Sequence, residues 1–171
     1  RASRKTAGKD FGLGMNPEFL REGSAIRDCL VPDRIVIGAN DPKTAAVMKD
    51  LYVPIMAPVL VTPVKVAEMI KYTSNAVLAA KISLANEIGN LCKRMGIDSR
   101  EVFAAVGMDG RLNPAFFRTG IGFGGSCFPK DVRALIAGAR EYGEDLKILR
   151  AVLEVNEEQP KRLLSLLKRH I

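Results

Sequence analysis

The apolar residues in the first third of the chain fall in short runs, the pattern typical of buried strands. Residues 33–40, DRIVIGAN, and 57–62, APVLVT, are runs of this kind bounded by turn residues or proline. The intervening residues 41–52, DPKTAAVMKDLY, predict a helix, because an Asp-Pro pair suits an N-cap and a first helical turn. An earlier run at 9–19, KDFGLGMNPEF, predicts a further strand. Strand, helix and strand form the unit of a parallel α/β sheet, so this part predicts the end of a larger α/β domain.

From Thr62 onward the apolar residues recur at helical spacing. Residues 62–96, TPVKVAEMIKYTSNAVLAAKISLANEIGNLCKRMG, begin with an N-cap and a proline and end at Gly96. They predict one helix of about 30 residues, far longer than the usual mean of about 11 to 12. This length favours a spine that packs against another helix or subunit. Shorter helices are predicted at 98–108, 129–143 and 144–171, the last with a kink or restart at Pro160.

The composition indicates a folded globular protein. Of 171 residues, 47% are hydrophobic and 26% are charged, which suffices for a buried core. The chain contains neither an apolar run of about 18 residues nor a secretory signal, so we expect neither a membrane span nor export.

The net charge of +7 raises the question of nucleic-acid binding, because basic surfaces attract phosphate polymers. The Lys and Arg residues are nevertheless dispersed, with dense runs at the two ends alone. A small phosphate-bearing ligand or a solvated surface explains them as well, and we expect no nucleic-acid partner. Three separated cysteines and a single histidine, His170, argue against a disulfide framework and a zinc site, and they favour a reducing cytoplasm.

A glycine-rich segment lies between two predicted helices. Residues 120–125, GIGFGG, satisfy the dinucleotide pattern G-x-G-x-x-G, but the preceding residues 112–119, LNPAFFRT, have proline and arginine where a buried strand is required. A P-loop is excluded because Lys130 is followed by Asp131 rather than by Ser or Thr.

The same glycines allow a backbone to approach a ligand closely, and they precede Cys127. Cys127 is expected at the start of a helix opened by Pro129, where backbone amides and the nearby Lys130 favour the reactive thiolate. The alternative is a small buried hydrophobe, the usual role of a free cysteine. The residues by themselves leave both possibilities open.

Three motifs in this order resemble the nucleotide-sugar 6-dehydrogenases, the family of UDP-glucose and GDP-mannose 6-dehydrogenases. They are MNPEFLREGSAIRD at 15–28, EMIKYTSNAVLAAKISLANEIGN at 68–90 and GFGGSCFPKD at 122–131. The resemblance implies an α/β fragment followed by a mainly α-helical central domain with one long spine helix. Residues 1–61 would end an NAD-binding Rossmann-like domain, 62–156 would form the helical dimerisation and catalytic domain, and 157–171 would start a linker to a nucleotide-binding domain.

The resemblance also implies a reaction. NAD would be the cofactor and a UDP-sugar the substrate, with the C6 alcohol of UDP-glucose oxidised twice to a carboxylate by a homodimer. GDP-mannose and UDP-N-acetyl-hexosamines remain alternative substrates. Because the family's first glycine-rich NAD loop is not among these residues, the isolated chain is alternatively an inactive dimerisation module.

By the same resemblance, Cys127 attacks the intermediate aldehyde to give a thiohemiacetal, which is oxidised to a thioester and then hydrolysed. Lys71 and Asn75, four residues apart on the long helix, would stabilise the oxyanion. Without the resemblance they would be assigned as a solvated lysine and a surface asparagine. Asp131 would organise the base or water, and Glu18 would assist thioester hydrolysis.

The remaining family positions imply contacts with the ligands, although spacing alone would equally suit packing or surface roles. Glu22 corresponds to an acid near the sugar and is alternatively a structural ion-pair partner. Cys29 and Cys92 are predicted to be packing residues. Expected substrate contacts are Glu22, Arg111, Phe116, Phe117, Arg118, Gly122, Gly124 and Gly125, and expected cofactor contacts are Glu18, Cys127 and Lys130.

Overall fold

The structure is a computed structural model and describes residues 4–168. It contains two compact units, Arg1–Thr73 and Ser74–Ile171, which divide within the longest helix. His170 and the outermost residues of the predicted domains 1–61 and 157–171 lie outside the described residues. The three predicted domain ranges therefore stay predictions.

The first unit contains a three-stranded sheet. In the order of the sheet, β1 is paired antiparallel with β2, and β2 is paired parallel with β3. Two short helices accompany the strands, and this arrangement confirms the predicted α/β fragment. The elements are β1 (Gly14–Met15), α1 (Ala25–Leu30), β2 (Ile35–Ala39), α2 (Pro42–Leu51) and β3 (Val59–Thr62).

The strand predicted over residues 9–19 is shorter than its apolar pattern suggests. It pairs with β2 at Gly14 and Met15 alone. After that point the side chain of Asn16, rather than the backbone, donates to the carbonyl of Val36 at 2.7 Å. Pro17 follows and has no N–H with which to continue the ladder.

Strand β2 is the buried centre of this unit. Its residues Val36 and Ile37 are 0% exposed: β1 and β3 flank the strand, α2 packs against it, and the long helix that follows β3 approaches it closely at Gly38. The turn after β2 leads into α2, where Asp41 accepts hydrogen bonds from the amide and the hydroxyl of Thr44 at 2.8 and 2.6 Å. These hydrogen bonds lower the pKa of Asp41 and confirm it as the N-cap of α2.

The second unit is helical and confirms the predicted long helix. Helix α3 (Val64–Met95) begins in the first unit and ends before Gly96, which has a φ of +72°. It is followed by α4 (Ser99–Val106), α5 (Cys127–Glu141) and α6 (Lys147–Leu167). Helix α6 continues through Pro160 and does not restart there. Within residues 4–168, none of the helices is both long and apolar enough to cross a membrane.

The core of the second unit lies between α3, α5 and α6. Small residues of α3 and branched residues of α5 and α6 form this cluster. The buried members of this cluster are Ala76, Ala79, Val132, Ile136 and Val152.

Gly38 in β2 is a specific determinant of the packing in the first unit. A Cβ atom placed there would lie 2.7 Å from the Cβ of Ala67 and 3.0 Å from the Cα of Val64. We expect Gly38→Ala to lower the free energy of unfolding by about 1 to 3 kcal/mol, because overpacking forces the strand and the helix apart. Chemical denaturation measures the loss.

Gly138→Ala is the matched control, since a Cβ atom at Gly138 meets no atom within 4 Å. It lies inside α5, where alanine is the better helix former, so we expect unchanged or slightly higher stability. Equal unfolding free energies for the two variants would contradict the assigned close contact.

Candidate active site

Lys71 and Glu18 form an ion pair in the first unit. Lys71 Nζ lies 2.9 Å from Glu18 Oε1, and Glu18 Oε2 accepts the amide of Leu20 at 2.8 Å. The Lys71 side chain is 17% exposed, so the solvated-lysine alternative does not describe it. The Glu18 side chain is 53% exposed and remains accessible to water.

Two cationic side chains lie over an aromatic ring next to this ion pair. The guanidinium carbon of Arg34 lies 4.1 Å from the centroid of the Phe19 ring. Lys71 Nζ lies 5.6 Å from the same centroid. Cations are attracted to the face of an aromatic ring. Phe19 therefore helps to fix the position of the Lys71 ammonium.

Glu22 does not join this arrangement. It is exposed and makes no hydrogen bond or ion pair within the described residues. Instead its neighbour Arg21 pairs with Asp28 through Nη2 and Oδ1 at 2.6 Å and through Nε and Oδ2 at 2.9 Å. The hydrogen bonds from Arg21 hold the pKa of Asp28 well below its usual range. The structural pair in this segment is thus Arg21 with Asp28.

Asn75 and Asp131 form a buried hydrogen bond in the second unit. Asn75 Nδ2 donates to Asp131 Oδ2 at 2.6 Å, and the two residues are 6% and 3% exposed. Lys130 Nζ lies 2.7 Å from Asp131 Oδ1, with the Lys130 side chain 67% exposed. A buried carboxylate requires such partners because it has lost its hydration. Asn75 is consequently not a surface asparagine.

Cys127 is exposed and is the first residue of α5, two residues earlier than the predicted helix start. Its Sγ lies 3.7 Å from the hydroxyl of Ser126. The exposure excludes the buried-hydrophobe interpretation.

Among the other cysteines, Cys92 is buried, as predicted. The packing prediction for Cys29 is wrong in this structure, because α1, which carries it, has no buried residue.

The segment before Cys127 has neither helix nor strand, and we call residues 107–126 the α4–α5 loop. Two of its glycines adopt conformations that favour glycine, with φ values of +100° at Gly122 and +72° at Gly125, while Gly124 has open space around it. A dinucleotide-binding turn requires a strand before the glycines, whereas this loop leads from α4 to α5. The glycines therefore shape a loop that presents a thiol.

The expected substrate residues have different environments in this loop. The ring of Phe117 stacks on Phe103 at 5.5 Å and lies under Lys81 Nζ at 4.3 Å, so it is anchored to the helices. Phe116 has a φ of +69° and its ring lies 6.4 Å from that of Phe128.

Arg111 and Arg118, the two basic residues expected to contact substrate, are both exposed. Arg111 pairs with Asp109 through Nη2 and Oδ2 at 2.6 Å, which raises the pKa of Arg111 and lowers that of Asp109. Arg118 makes no ion pair within residues 4–168. The Arg118 guanidinium is thus available to an anionic ligand, whereas Arg111 would first have to release Asp109.

Several polar residues that hold the loop were not found from the sequence. Lys81 donates to the carbonyl of Asn113 at 2.5 Å. The glycine-rich end of the loop is held by hydrogen bonds with Asn86, Asn156 and Gln159. The one sequence feature that could have indicated them is the presence of amides on the apolar faces of α3 and α6.

In addition, no three His, Cys, Asp or Glu side chains of the described chain lie together so that they could hold a metal ion.

Comparison with known proteins identifies the family. Residues 65–158 match the model described as UDP-glucose/GDP-mannose dehydrogenase family, central domain, and residues 1–56 match the NAD binding domain of the same family. The chain belongs to the UDP-glucose/GDP-mannose dehydrogenase family, as the sequence motifs indicated.

Individual relatives are similar over nearly the whole chain. UDP-glucose 6-dehydrogenase AglM of Haloferax volcanii is 47% identical over 172 residues, which cover 98% of this chain and 40% of the relative. UDP-glucose 6-dehydrogenase TuaD of Bacillus subtilis is 50% identical over 149 residues, with coverages of 87% and 32%. The solved structure of a UDP-glucose dehydrogenase from Pyrobaculum islandicum is 50% identical with a TM-score of 0.92, covering 95% of this chain and 38% of that one. The chain thus spans less than half the length of each relative.

The Asn75–Asp131 bond can be tested by a double-mutant cycle. We expect Asn75→Ala alone to lower the free energy of unfolding by about 1 to 3 kcal/mol, because it removes the amide donor of a buried carboxylate. Asp131→Ala combined with Asn75→Ala is expected to show a coupling energy of about 0.5 to 3 kcal/mol. Urea denaturation of the four proteins measures both quantities, and strictly additive losses would disprove the interaction.

Proposed function

We propose that this chain forms part of an NAD-dependent UDP-glucose 6-dehydrogenase, which oxidises the C6 alcohol of UDP-glucose to a carboxylate. The observation that carries the proposal is the exposed thiol of Cys127 at the N-terminus of α5, within the family's cysteine motif. Support for UDP-glucose comes from the names of the relatives described above. GDP-mannose or a UDP-N-acetyl-hexosamine would undergo the same chemistry at C6.

The residues of the first unit fit NAD as the cofactor. Residues 1–56 match the family's NAD binding domain, and the parallel pair β2 and β3 is the kind of sheet at whose carboxyl end nucleotides bind. When bound, NAD accepts one hydride in each oxidation. Glu18, Cys127 and Lys130 are proposed to contact the cofactor, in agreement with the substantial exposure of each side chain.

Cys127 makes the second oxidation possible. The first oxidation removes a hydride and a proton from the alcohol and leaves an aldehyde. Addition of the Cys127 thiolate to the aldehyde carbon, followed by loss of a second hydride, gives a thioester. Water then cleaves the C–S bond, which yields the carboxylate and regenerates the thiol.

Lys71 and Asn75 are proposed to stabilise the negatively charged oxygen that develops at C6. Both keep donor capacity for this role: an ammonium has three N–H groups and Lys71 uses one on Glu18, while an amide nitrogen has two and Asn75 uses one on Asp131. Hydrogen-bond donors that are held in place before the reaction stabilise such an oxyanion strongly. The partners Glu18 and Asp131 would provide this positioning.

Asp131 and Glu18 are proposed to handle protons and water. A carboxylate has about four lone-pair sites, so Asp131 can accept a hydrogen bond from a hydroxyl or water in addition to those from Asn75 and Lys130. Glu18 is half exposed and could activate the water that hydrolyses the thioester. Proposed sugar-nucleotide contacts are Glu22, Arg111, Phe116, Phe117, Arg118, Gly122, Gly124 and Gly125.

A homodimer through α3 is the second part of the proposal. The second-unit part of α3 exposes Val77, Leu84, Ile88, Leu91 and Met95, whose exposed fractions are between 36 and 62%. Their successive spacings of seven, four, three and four residues are those of a coiled-coil seam. A second copy of the same helix would cover this stripe. The stripe also supports the alternative in which the isolated chain is a dimerisation module without activity.

Replacement of the nucleophile tests the enzyme proposal. In the whole protein, we expect Cys127→Ala to lower the rate of UDP-glucuronate formation by at least about 10³-fold, because the aldehyde can no longer form a thioester. Chromatography of the sugar nucleotides and NADH absorbance measure the product and the cofactor. Parallel assays with GDP-mannose and UDP-N-acetylglucosamine identify the preferred substrate.

Cys29→Ala serves as the control, because Cys29 is also exposed but lies in α1. It is expected to retain the wild-type rate. Undiminished UDP-glucuronate formation by Cys127→Ala would rule out the proposed mechanism, and the absence of any oxidation by the whole wild-type protein would rule out the proposed enzyme. Oxidation by the whole protein but not by the isolated chain would support the dimerisation module as the role of the isolated chain.

Charge placed on the exposed stripe tests the dimer. We expect Leu84→Lys combined with Leu91→Lys to convert the dimer into a monomer, because burial of two ammonium groups in an apolar seam is costly. Sedimentation velocity measures the change. Ile148→Lys, at an exposed apolar position on α6, should leave the dimer intact. An unchanged dimer in the double variant would exclude this helix face as the interface.

A further inference from the structure

The α4–α5 loop is twenty residues long and contains no helix or strand, yet it leads directly to Cys127. Loops of more than about 12 to 15 residues without secondary structure are uncommon in compact domains and usually serve a function. Without a ladder or helix, the backbone groups of such a loop need other partners. The first part of the loop bonds partly to itself, as at the Leu112 and Phe117 amides, whereas side chains of the neighbouring helices hold its glycine-rich end.

Three side-chain amides hold the glycine-rich end of the loop, and we call Asn86, Asn156 and Gln159 the amide clamp. The amide of Gly120 donates to Asn86 Oδ1 at 2.7 Å, and its carbonyl accepts from Gln159 Nε2 at 2.8 Å. The amide of Phe123 donates to Asn156 Oδ1 at 2.7 Å, and its carbonyl accepts from Asn156 Nδ2 at 2.9 Å. The clamp thus satisfies both backbone groups at each of two positions.

The clamp is itself well supported. Asn86 and Gln159 are 1% and 4% exposed, and Gln159 Oε1 accepts a hydrogen bond from Asn90 Nδ2 at 2.7 Å, which joins α6 to α3. Gln159 bonds through both of its amide atoms, whereas Asn86 bonds through Oδ1 and its buried Nδ2 has no hydrogen-bond partner among the described residues. The burial of both side chains and the two bonds of Gln159 make the clamp a fixed attachment rather than a flexible contact.

Gly122 shows how closely the loop approaches the clamp. A Cβ atom at Gly122 would lie 2.5 Å from Asn156 Oδ1, and its φ of +100° is unfavourable for other residues. The carbonyl of Asn156 would be 3.4 Å from the same Cβ atom. Pro160, four residues further along α6, has no N–H with which to engage that carbonyl in a helical hydrogen bond.

The clamp and α5 together determine where the thiol lies. Between Phe123, which Asn156 holds, and Cys127, which begins α5, there are three residues, two of them glycines. On the far side α5 is anchored by Val132, which is 0% exposed, and the rings of Phe123 and Phe128 meet edge to face at 5.9 Å. Two fixed attachments separated by so short a connection leave the thiol little freedom.

We propose that the amide clamp is a positioning device that holds Cys127 for attack on the aldehyde and thereby controls the thiol-dependent second oxidation. The proposal rests on the role of Cys127 proposed above. A displacement of about 1 Å at a reacting group can cost about 10²-fold in rate. The first oxidation does not use the thiol, so at saturating UDP-glucose release of the clamp should slow it far less than the second, although Gly122 is a proposed substrate contact.

Two near-isosteric variants remove single hydrogen bonds of the clamp. Asn156→Asp keeps the acceptor for the Phe123 amide but loses the donor to its carbonyl, and Gln159→Glu keeps the acceptor for Asn90 but loses the donor to the Gly120 carbonyl. Glu158→Gln is the matched control on α6, since Glu158 is exposed and pairs with Arg162. The whole protein is used for every variant.

Pre-steady-state formation of NADH separates the two oxidations. With excess NAD, we expect each clamp variant to form the first NADH within about twofold of the wild-type rate and the second about 10- to 100-fold more slowly. UDP-glucose 6-aldehyde supplied directly should show the same slow step, with kcat lowered and KM little changed. A merely structural role would reduce the amplitude of both phases through loss of folded protein, without slowing the second phase selectively.

Two results would overturn the proposal, and Cys127→Ala distinguishes them from failure of the underlying mechanism. If Cys127→Ala loses the second phase while both clamp variants keep the wild-type rate, the clamp has no positioning role. If the clamp variants slow both phases equally, the clamp supports the whole site rather than the thiol. If Cys127→Ala forms the second NADH normally, the proposed function itself is wrong.

Discussion

The need of buried polar side chains for hydrogen-bond partners is the constraint on which this structure depends, and helix α3 is where it acts. An asparagine or lysine that leaves water requires a partner, because an unpaired buried polar group costs about 1 to 3 kcal/mol. Along α3 these partners belong to other elements of the same unit, so their hydrogen bonds also position the loops and helices around α3. Among the buried side-chain nitrogen and oxygen atoms of the described residues, Asn86 Nδ2 alone has no partner. The pairs are Lys71 with Glu18, Asn75 with Asp131, Lys81 with the Asn113 carbonyl, Ser83 with the Val152 carbonyl, Asn86 with the Gly120 amide, and Asn90 with Gln159.

This constraint explains how an irregular loop can present an exposed thiol. The α4–α5 loop has no ladder of its own, but stacking of Phe117 on Phe103, the lysine contact and the amide clamp attach it along its length. Glycine is required at Gly122, where the backbone approaches Asn156 too closely for a side chain. Loop geometry, rather than a glycine-rich nucleotide-binding turn, thus accounts for Gly122 and for Gly125, which has a φ of +72°.

The proposed chemistry uses the same interactions that stabilise the fold. Asn75 and Lys71 each donate one N–H to a carboxylate and retain at least one further N–H. The hydrogen bond that positions each side chain therefore leaves a donor for the substrate. Asp131 is buried with both oxygens engaged, which makes it part of the core of the second unit as well as a candidate base. Stability and activity are therefore expected to respond together to substitutions at Asn75 and Asp131.

The sequence by itself determined helices α2 to α6, strands β2 and β3, the family and the position of the thiol, because these depend on local periodicity, capping residues and contiguous motifs. Only the tertiary structure decided that β1 would end at Met15, that Cys29 would be exposed, and that Lys71 and Asn75 would be shielded and paired. It likewise decided that Asn86, Asn156 and Gln159 would hold the loop. The reason is physical: these hydrogen bonds join residues more than 30 positions apart, so their partners are set by the packing of helices and not by any local pattern.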